Sequence, residues 1–189
     1  MTDKSALRAA SLARRASLDL GHRAAHALAA AEHARPILVD YRGFTVSGYW
    51  PIRSEIDPRP LMTIAGDWGA GLALPVTTPD GLLFRQWRPD ESLVDAGFGT
   101  FGPPPAAPEV QPDVMIMPLA AFDRRGHRIG YGQGHYDRAI SALRAFGHRP
   151  RLIGLAFAVQ EVEKVPFEPH DIPLDFIVTE EELIAVDRA

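Results

Sequence analysis

The stretch "DVMIMPLAAFDRRGHRIGYGQGHYDRAISALRAFGHRPRLIGLAFA", residues 113–158, decides the fold class. "DVMIMP" (113–118) is an apolar, uninterrupted run, the pattern of a strand buried on both faces. "AAFD" and "HRIGYG" flank "RRG", which predicts a hairpin. The pattern then predicts a helix from His135 to Phe146, and "RLIGLAFA" (151–158) returns as a second core strand. Apolar strands alternating with helices predict an α/β fold with a mainly parallel sheet.

The flanking segments extend that reading. Residues 3–18 read as a helix capped by Thr2 or Asp3, with Lys4, Arg8, Arg14 and Arg15 as its cations. Gly21 marks a break before a second, Ala-rich helix that runs to about His33. "TVSGYW" (45–50) is a strand stopped by Pro51, and "DPRPLMTIAG" (57–66) a short helix with proline in its first turn. "GLALP" (71–75) and "LLFRQW" (82–87) are short strands. Residues 95–112, rich in proline and glycine, read as an irregular surface loop. "LDFIVT" (174–179) is the last strand, and "EEELIAVD" trails after it.

A chain of 189 residues fits one domain, residues 1–189, better than two. Hydrophobic residues make up 46% and charged residues 23%, the balance of an ordinary globule. The absence of cysteine excludes a disulfide framework, a thiolate nucleophile and thiolate zinc sites. A formal net charge of -4 gives no reason to expect nucleic acid as a partner. No apolar run approaches the roughly 20 residues of a membrane span. The first thirty residues, rich in Ala, Arg and Ser, have the composition of a transit peptide, but Asp3, Asp19 and Glu32 argue against one, so the expected location is the cytoplasm. The expected state is a monomer, with an oligomer left open.

Gly130, Gly132 and Gly134 alternate as G-x-G-x-G just before the predicted helix. Without Cβ atoms, backbone amides there can approach an anion, and the helix N-terminus would face the same ligand. Arg128 and Arg138 add cations at either end. No Lys-Ser/Thr follows, so this is not a Walker loop, and the third glycine comes too early for a dinucleotide fingerprint. The spacing alone also suits a tight hairpin return into a helix. Asp137 favours the phosphate loop, because a carboxylate facing phosphate needs a divalent cation between them. Asp171 in "EPHDIPLD" is the second candidate carboxylate; by local sequence it is equally a turn residue beside Pro169 and Pro173. His22 and His26 have zinc-compatible spacing, yet no third ligand lies nearby in sequence, so they read as exposed helix histidines.

Taken together, "AFDRRGHRIGYGQGHYDRAI" (121–140) resembles the signature of the 5-formyltetrahydrofolate cyclo-ligases, also called methenyltetrahydrofolate synthetases. "DKSALRAASLARR" (3–15), "SGYWPIRSEID" (47–57), "LPVTTPDGLLFRQW" (74–87) and "PHDIPLDFIVTE" (169–180) are similar to further blocks of that family, in order. The resemblance implies a single three-layer α/β domain like the ribose-5-phosphate isomerase and CoA-transferase group. It implies conversion of 5-formyltetrahydrofolate and ATP to 5,10-methenyltetrahydrofolate, ADP and phosphate, with Mg2+ as cofactor and no covalent protein nucleophile. Reduced folate and ATP are then the partners.

Site roles follow from the same resemblance. Lys4 and Arg8, four apart on one helix face, would contact ATP phosphates, although spacing alone reads them as a solvated face. The nucleotide loop would be Arg128, Ile129, Gly130, Tyr131, Gly132, Gln133, Gly134, His135 and Tyr136, with Tyr131 to His135 also touching the folate. Trp50 and Glu55 would bind the pterin; the alternatives are core packing for Trp50 and a helix N-terminal acid for Glu55. Asp137 and Asp171 would hold magnesium, with His170 orienting Asp171 or the backbone. Trp87 reads as core, and Arg14 and Arg15 as surface. Gln133, His135 and the Gly102-Pro103 pair depart from the family's usual residues, and the 98–108 loop carries no assigned role. Two other functions stay open: a non-catalytic folate or nucleotide-binding module, and an ATP-dependent enzyme acting on another N-acyl substrate.

Overall fold

The computed structural model describes residues 3–79, 81–97, 99–168 and 171–187. Helix α1 (Lys4–Ala16) is capped by Asp3, whose carboxylate accepts from the Ser5 amide. Helix α2 (Leu20–Leu38) follows, then strand β1 (Thr45–Ser47), helix α3 (Arg59–Asp67), β2 (Gly71–Thr78) and β3 (Gly81–Gln86). The hairpin β4 (Val94–Gly97) and β5 (Thr100–Gly102) stands apart from the main sheet. Next come β6 (Val114–Pro118), the hairpin β7 (Ala121–Phe122) and β8 (Arg128–Ile129), and helix α4 (His135–Ala145). Strands β9 (Arg151–Leu155), β10 (Phe176–Val178) and β11 (Leu183–Ala185) complete the chain.

The seven-stranded sheet has the order β11-β10-β9-β6-β1-β2-β3. Its five central strands are parallel, and the two edge strands are antiparallel to their neighbours. Side chains alternate across it with period two. Val46, Leu72, Leu74, Val114, Ile116, Ile153 and Val178 pack toward α2 and α3. Met115, Met117, Leu152, Ile177 and Phe84 pack toward α4 through Ala139 and Ile140. Helices on both faces make three layers, as the resemblance implies.

Three segments differ from the sequence reading, one of them at both ends. Helix α2 starts at Asp19, which accepts from the His22 amide, so Gly21 lies inside the first turn rather than at a break. The same helix continues past His33 to Leu38 because Ala27, Ala30, Ala31, Ala34 and Leu38 form one buried stripe, which outweighs Pro36. The 95–112 segment holds the β4–β5 pair in place of a structureless loop. The trailing segment after β10 contributes β11, which pairs antiparallel with β10 from Leu183 to Ala185.

The sheet order fixes where a ligand site belongs. From β1 the chain crosses through α3 to β2 on one side; from β6 it crosses through α4 to β9 on the other. Strands β1 and β6 are neighbours, so their carboxyl ends flank a topological switch point, where the diverging connections open a crevice.

Candidate active site

The β7–β8 hairpin delivers the glycine loop to the start of α4. Register pairs Ala121 with Ile129 and Phe122 with Arg128, so the loop leaves the hairpin at Gly130. Gly132 has φ +91° and Gly134, the residue that precedes α4, has φ +63° and ψ 16°. Both values lie in the left-handed region that glycine occupies without strain. No side chain caps α4, so its first-turn amides have no side-chain acceptor and stay available to an anion.

Cations ring this loop. Arg8 Nε donates to the Gly130 carbonyl at 2.7 Å. Arg138 Nη1 donates to the Gln133 carbonyl at 2.7 Å, and its Nη2 lies 3.1 Å from His135 Nδ1. Arg128 bonds the Ile172 carbonyl through Nη1 and the Asp137 carboxylate through Nη2 at 2.5 Å. Lys4 Nζ donates to Asp171 Oδ2 at 2.9 Å and to Glu168 Oε1 at 3.4 Å. Burial opposes the Lys4 charge, but the Asp171 and Glu168 carboxylates outweigh it and raise the ammonium above its ordinary value.

Asp137 is thus engaged by Arg128 and Asp171 by Lys4, and Arg128 also reaches the carbonyl of Ile172, the residue after Asp171. No cluster of three or more His, Asp or Glu side chains suited to a metal occurs among the described residues. The donor set still fits a hard cation that uses one or two carboxylates and completes its shell with phosphate oxygens and water. His170 and Thr2 fall outside the described residues.

Across the crevice, the loop after β1 carries Trp50 and Glu55. Glu55 is buried, and its Oε2 accepts from the Ile52 amide at 2.9 Å, so it turns inward rather than capping α3. Burial raises its pKa; the Ile52 bond, then the Arg15 charge, the Tyr131 hydroxyl and the Arg53 charge hold that rise in check. Tyr49, buried, and Tyr136, partly buried, join it. Burial, then the Glu55 charge, pushes the Tyr49 and Tyr136 phenols well up, keeping both neutral. Tyr49 donates to the Ile56 carbonyl at 2.7 Å, which pins the loop. Trp50 packs against the core, with Phe101 edge-on at 6.1 Å and the Arg59 guanidinium over its ring at 4.9 Å. Trp87 is core, as expected, and its amide bonds the Leu72 carbonyl.

One residue overturns its sequence reading. Arg15, expected at the surface, is 2% exposed. Its Nε donates to Ser54 Oγ at 3.1 Å, Nη1 to the Leu119 carbonyl at 3.4 Å, and Nη2 to the Tyr131 hydroxyl at 2.7 Å. The buried residues of α1 are Ser11 and Arg15. Lys4, Arg8 and Arg15, at i, i+4 and i+11, share one helix face, a signal that spacing already held. Arg14, by contrast, is exposed and bonds the Val159 carbonyl. Arg53 was also missed. It is the one non-glycine residue with positive φ (+54°) among the described residues, and its guanidinium lies 5.9 Å from the centre of the Tyr131 ring. No pattern in the sequence announces it. His22 pairs with Asp19, while His26 lies against Phe157 and Glu180 and is only part-exposed.

Such a fold, with a glycine loop and a buried carboxylate on segments that follow the central strands, defines an α/β protein of the doubly wound kind. The chain belongs to the 5-formyltetrahydrofolate cyclo-ligase family, whose pattern matches residues 1–180. It is 36% identical over 142 residues to the 5-formyltetrahydrofolate cyclo-ligase of Escherichia coli K12, covering 71% of this chain and 77% of that one. The Haemophilus influenzae cyclo-ligase is 31% identical over 150 residues, covering 76% and 79%. The solved structure of Aquifex aeolicus 5,10-methenyltetrahydrofolate synthetase superimposes with a TM-score of 0.80 at 26% identity, covering 98% of this chain and 94% of that one. No helix among the described residues is long and apolar enough to cross a membrane.

Proposed function

We propose that the protein converts 5-formyltetrahydrofolate to 5,10-methenyltetrahydrofolate with conversion of ATP to ADP and phosphate. The formyl oxygen attacks the γ-phosphorus and ADP departs. The neighbouring amine nitrogen then attacks the activated formyl carbon and loses its proton, and phosphate leaves as the ring closes. Such a sequence needs positioning and charge neutralisation more than a protein nucleophile. The amides of Gly130 to Tyr136 would hold the triphosphate, and Lys4 and Arg8 would neutralise it. Glu55 would accept two hydrogen bonds from the aminopyrimidine edge of the pterin, beside Trp50. Magnesium, when bound, supplies further neutralisation of the phosphates; Asp137 and Asp171 would hold it.

One observation carries this reading. Arg15 donates both to the hydroxyl of Tyr131 in the glycine loop, at 2.7 Å, and to Ser54 Oγ beside Glu55, at 3.1 Å, so the loop suited to phosphate and the carboxylate suited to a pterin share one crevice. The test is to mix pure protein with 5-formyltetrahydrofolate, Mg2+ and ATP and to follow the long-wavelength absorbance of the conjugated product. Signal only when both ATP and Mg2+ are present is the expected result. Tight folate binding without turnover would instead make the protein a binding module, and no folate binding would point to another N-acyl substrate.

A further inference from the structure

The phenol of Tyr131 is held from several directions. Its hydroxyl receives a hydrogen bond from Arg15 Nη2 at 2.7 Å, and the Arg15 and Arg53 guanidiniums lie 5.8 and 5.9 Å from its ring centre. Arg15 also donates to Ser54, the residue before Glu55, so it ties the glycine loop to the segment that carries that carboxylate. A guanidinium only donates, so the hydroxyl accepts from Arg15 and its own proton is free to point at Glu55. Arg15 itself is fixed, because Ser54 and Leu119 hold its other nitrogens on the two segments that follow β1 and β6. The Tyr131 backbone is tied to the cationic wall through the Gly130 carbonyl, which accepts from Arg8 Nε. Tyr131 lies between Gly130 and Gly132, so any tightening of the loop on an anion carries its ring with it.

We propose that Arg15 and Tyr131 couple the two halves of the crevice: a phosphate chain seated in the glycine loop sets the Tyr131 hydroxyl against Glu55, so nucleotide and folate each tighten the binding of the other. The proposal rests on the functional reading above. Arg15 acts here as a positioning residue, since it reaches the ligands only through Tyr131 and Glu55. A hydroxyl donating to Glu55 favours its charged form, the form that accepts from the N–H donors of a pterin edge. By thermodynamic linkage the effect is the same in both directions.

The test is a pair of equilibrium titrations. The Kd of 5-formyltetrahydrofolate is measured with and without a saturating Mg2+-bound, non-hydrolysable ATP analogue. In the unaltered protein the analogue is expected to tighten folate binding by about 5-fold or more. In Tyr131→Phe the ring stays between its two guanidiniums while the hydroxyl is gone, and the ratio is expected to fall to about 1. Arg15→Lys keeps the charge but cannot hold Ser54, Leu119 and Tyr131 at once, and its ratio is expected to fall as well. A general loosening of the fold weakens both measurements and divides out of the ratio. An undiminished ratio in Tyr131→Phe, or a ratio of about 1 in the unaltered protein, overturns the coupling and leaves the functional reading standing. Failure of the unaltered protein to bind either ligand overturns that reading and the coupling with it.

Discussion

Arg15→Ala is expected to destabilise the protein far more than its place on an N-terminal helix suggests. The side chain is 2% exposed and makes three hydrogen bonds to three separate segments. Leu119 keeps a second partner, because Gln160 Nε2 also donates to its carbonyl at 2.6 Å. Ser54 and Tyr131 each lose a charged donor, and Glu55 stays buried with a compensating charge removed. Deleting one member of a buried charge set costs about 3–5 kcal/mol. Arg15 and Glu55 interact without a direct salt bridge, so the lower end, about 3 kcal/mol, is the appropriate figure. For a chain of this size each kcal/mol shifts Tm by roughly 2–4 °C, giving a fall of about 6–12 °C. A surface arginine would change stability by no more than about 0.5 kcal/mol. Calorimetry of the two proteins decides between these, and a fall below about 2 °C refutes the buried-charge reasoning. Adding Glu55→Gln to Arg15→Ala should recover part of the loss, because the two single effects share one interaction.

Three other outcomes are expected. Burial raises the pKa of Glu55, so ionising it opposes folding: that cost is absent below the ordinary carboxylate pKa and fully felt above the raised one. Stability should therefore decline as pH rises from about 4.3 upward, and urea midpoints against pH should lose this limb in Glu55→Gln. Asp137→Ala should lower turnover far more than folate affinity; equal loss of both, with the fold intact by circular dichroism, would count against a metal-holding role. Arg53→Gly removes the left-handed strain at φ +54° and should stabilise the fold by about 1 kcal/mol while weakening the hold on Tyr131. Chemical denaturation measures the first effect, and a destabilised Arg53→Gly would show that stacking on Tyr131 outweighs the strain.

The central βαβ stretch was legible because its signals are long and of one kind. Residues 114–118 are apolar without interruption, and β6 runs from Val114 to Pro118; the helix expected at 135–146 runs from His135 to Ala145. Shorter signals failed. Leu183–Ala185 is three residues long, too few to show a period, and it becomes a strand only because β10 offers it an edge. The β4–β5 pair was hidden by the prolines around it. At the site, glycine spacing showed where an anion loop lies, and helix spacing showed Lys4 and Arg8. Arg15 shares their face, but burying a charge depends on acceptors supplied by Ser54, Leu119 and Tyr131, which lie 39, 104 and 116 residues away. Such a site is visible only once the chain has closed on itself.

Those separations also govern the order of assembly. Lys4 meets Asp171 and Arg8 meets Gly130 across 167 and 122 residues, so helix α1 must wait for a long stretch of following chain before it finds these partners. Contacts this remote in sequence form late, after shorter loops have closed. The sheet and its flanking layers can therefore be native in a refolding experiment while the cationic wall of the crevice is still open. Recovery of ligand binding should then lag behind recovery of far-ultraviolet signal.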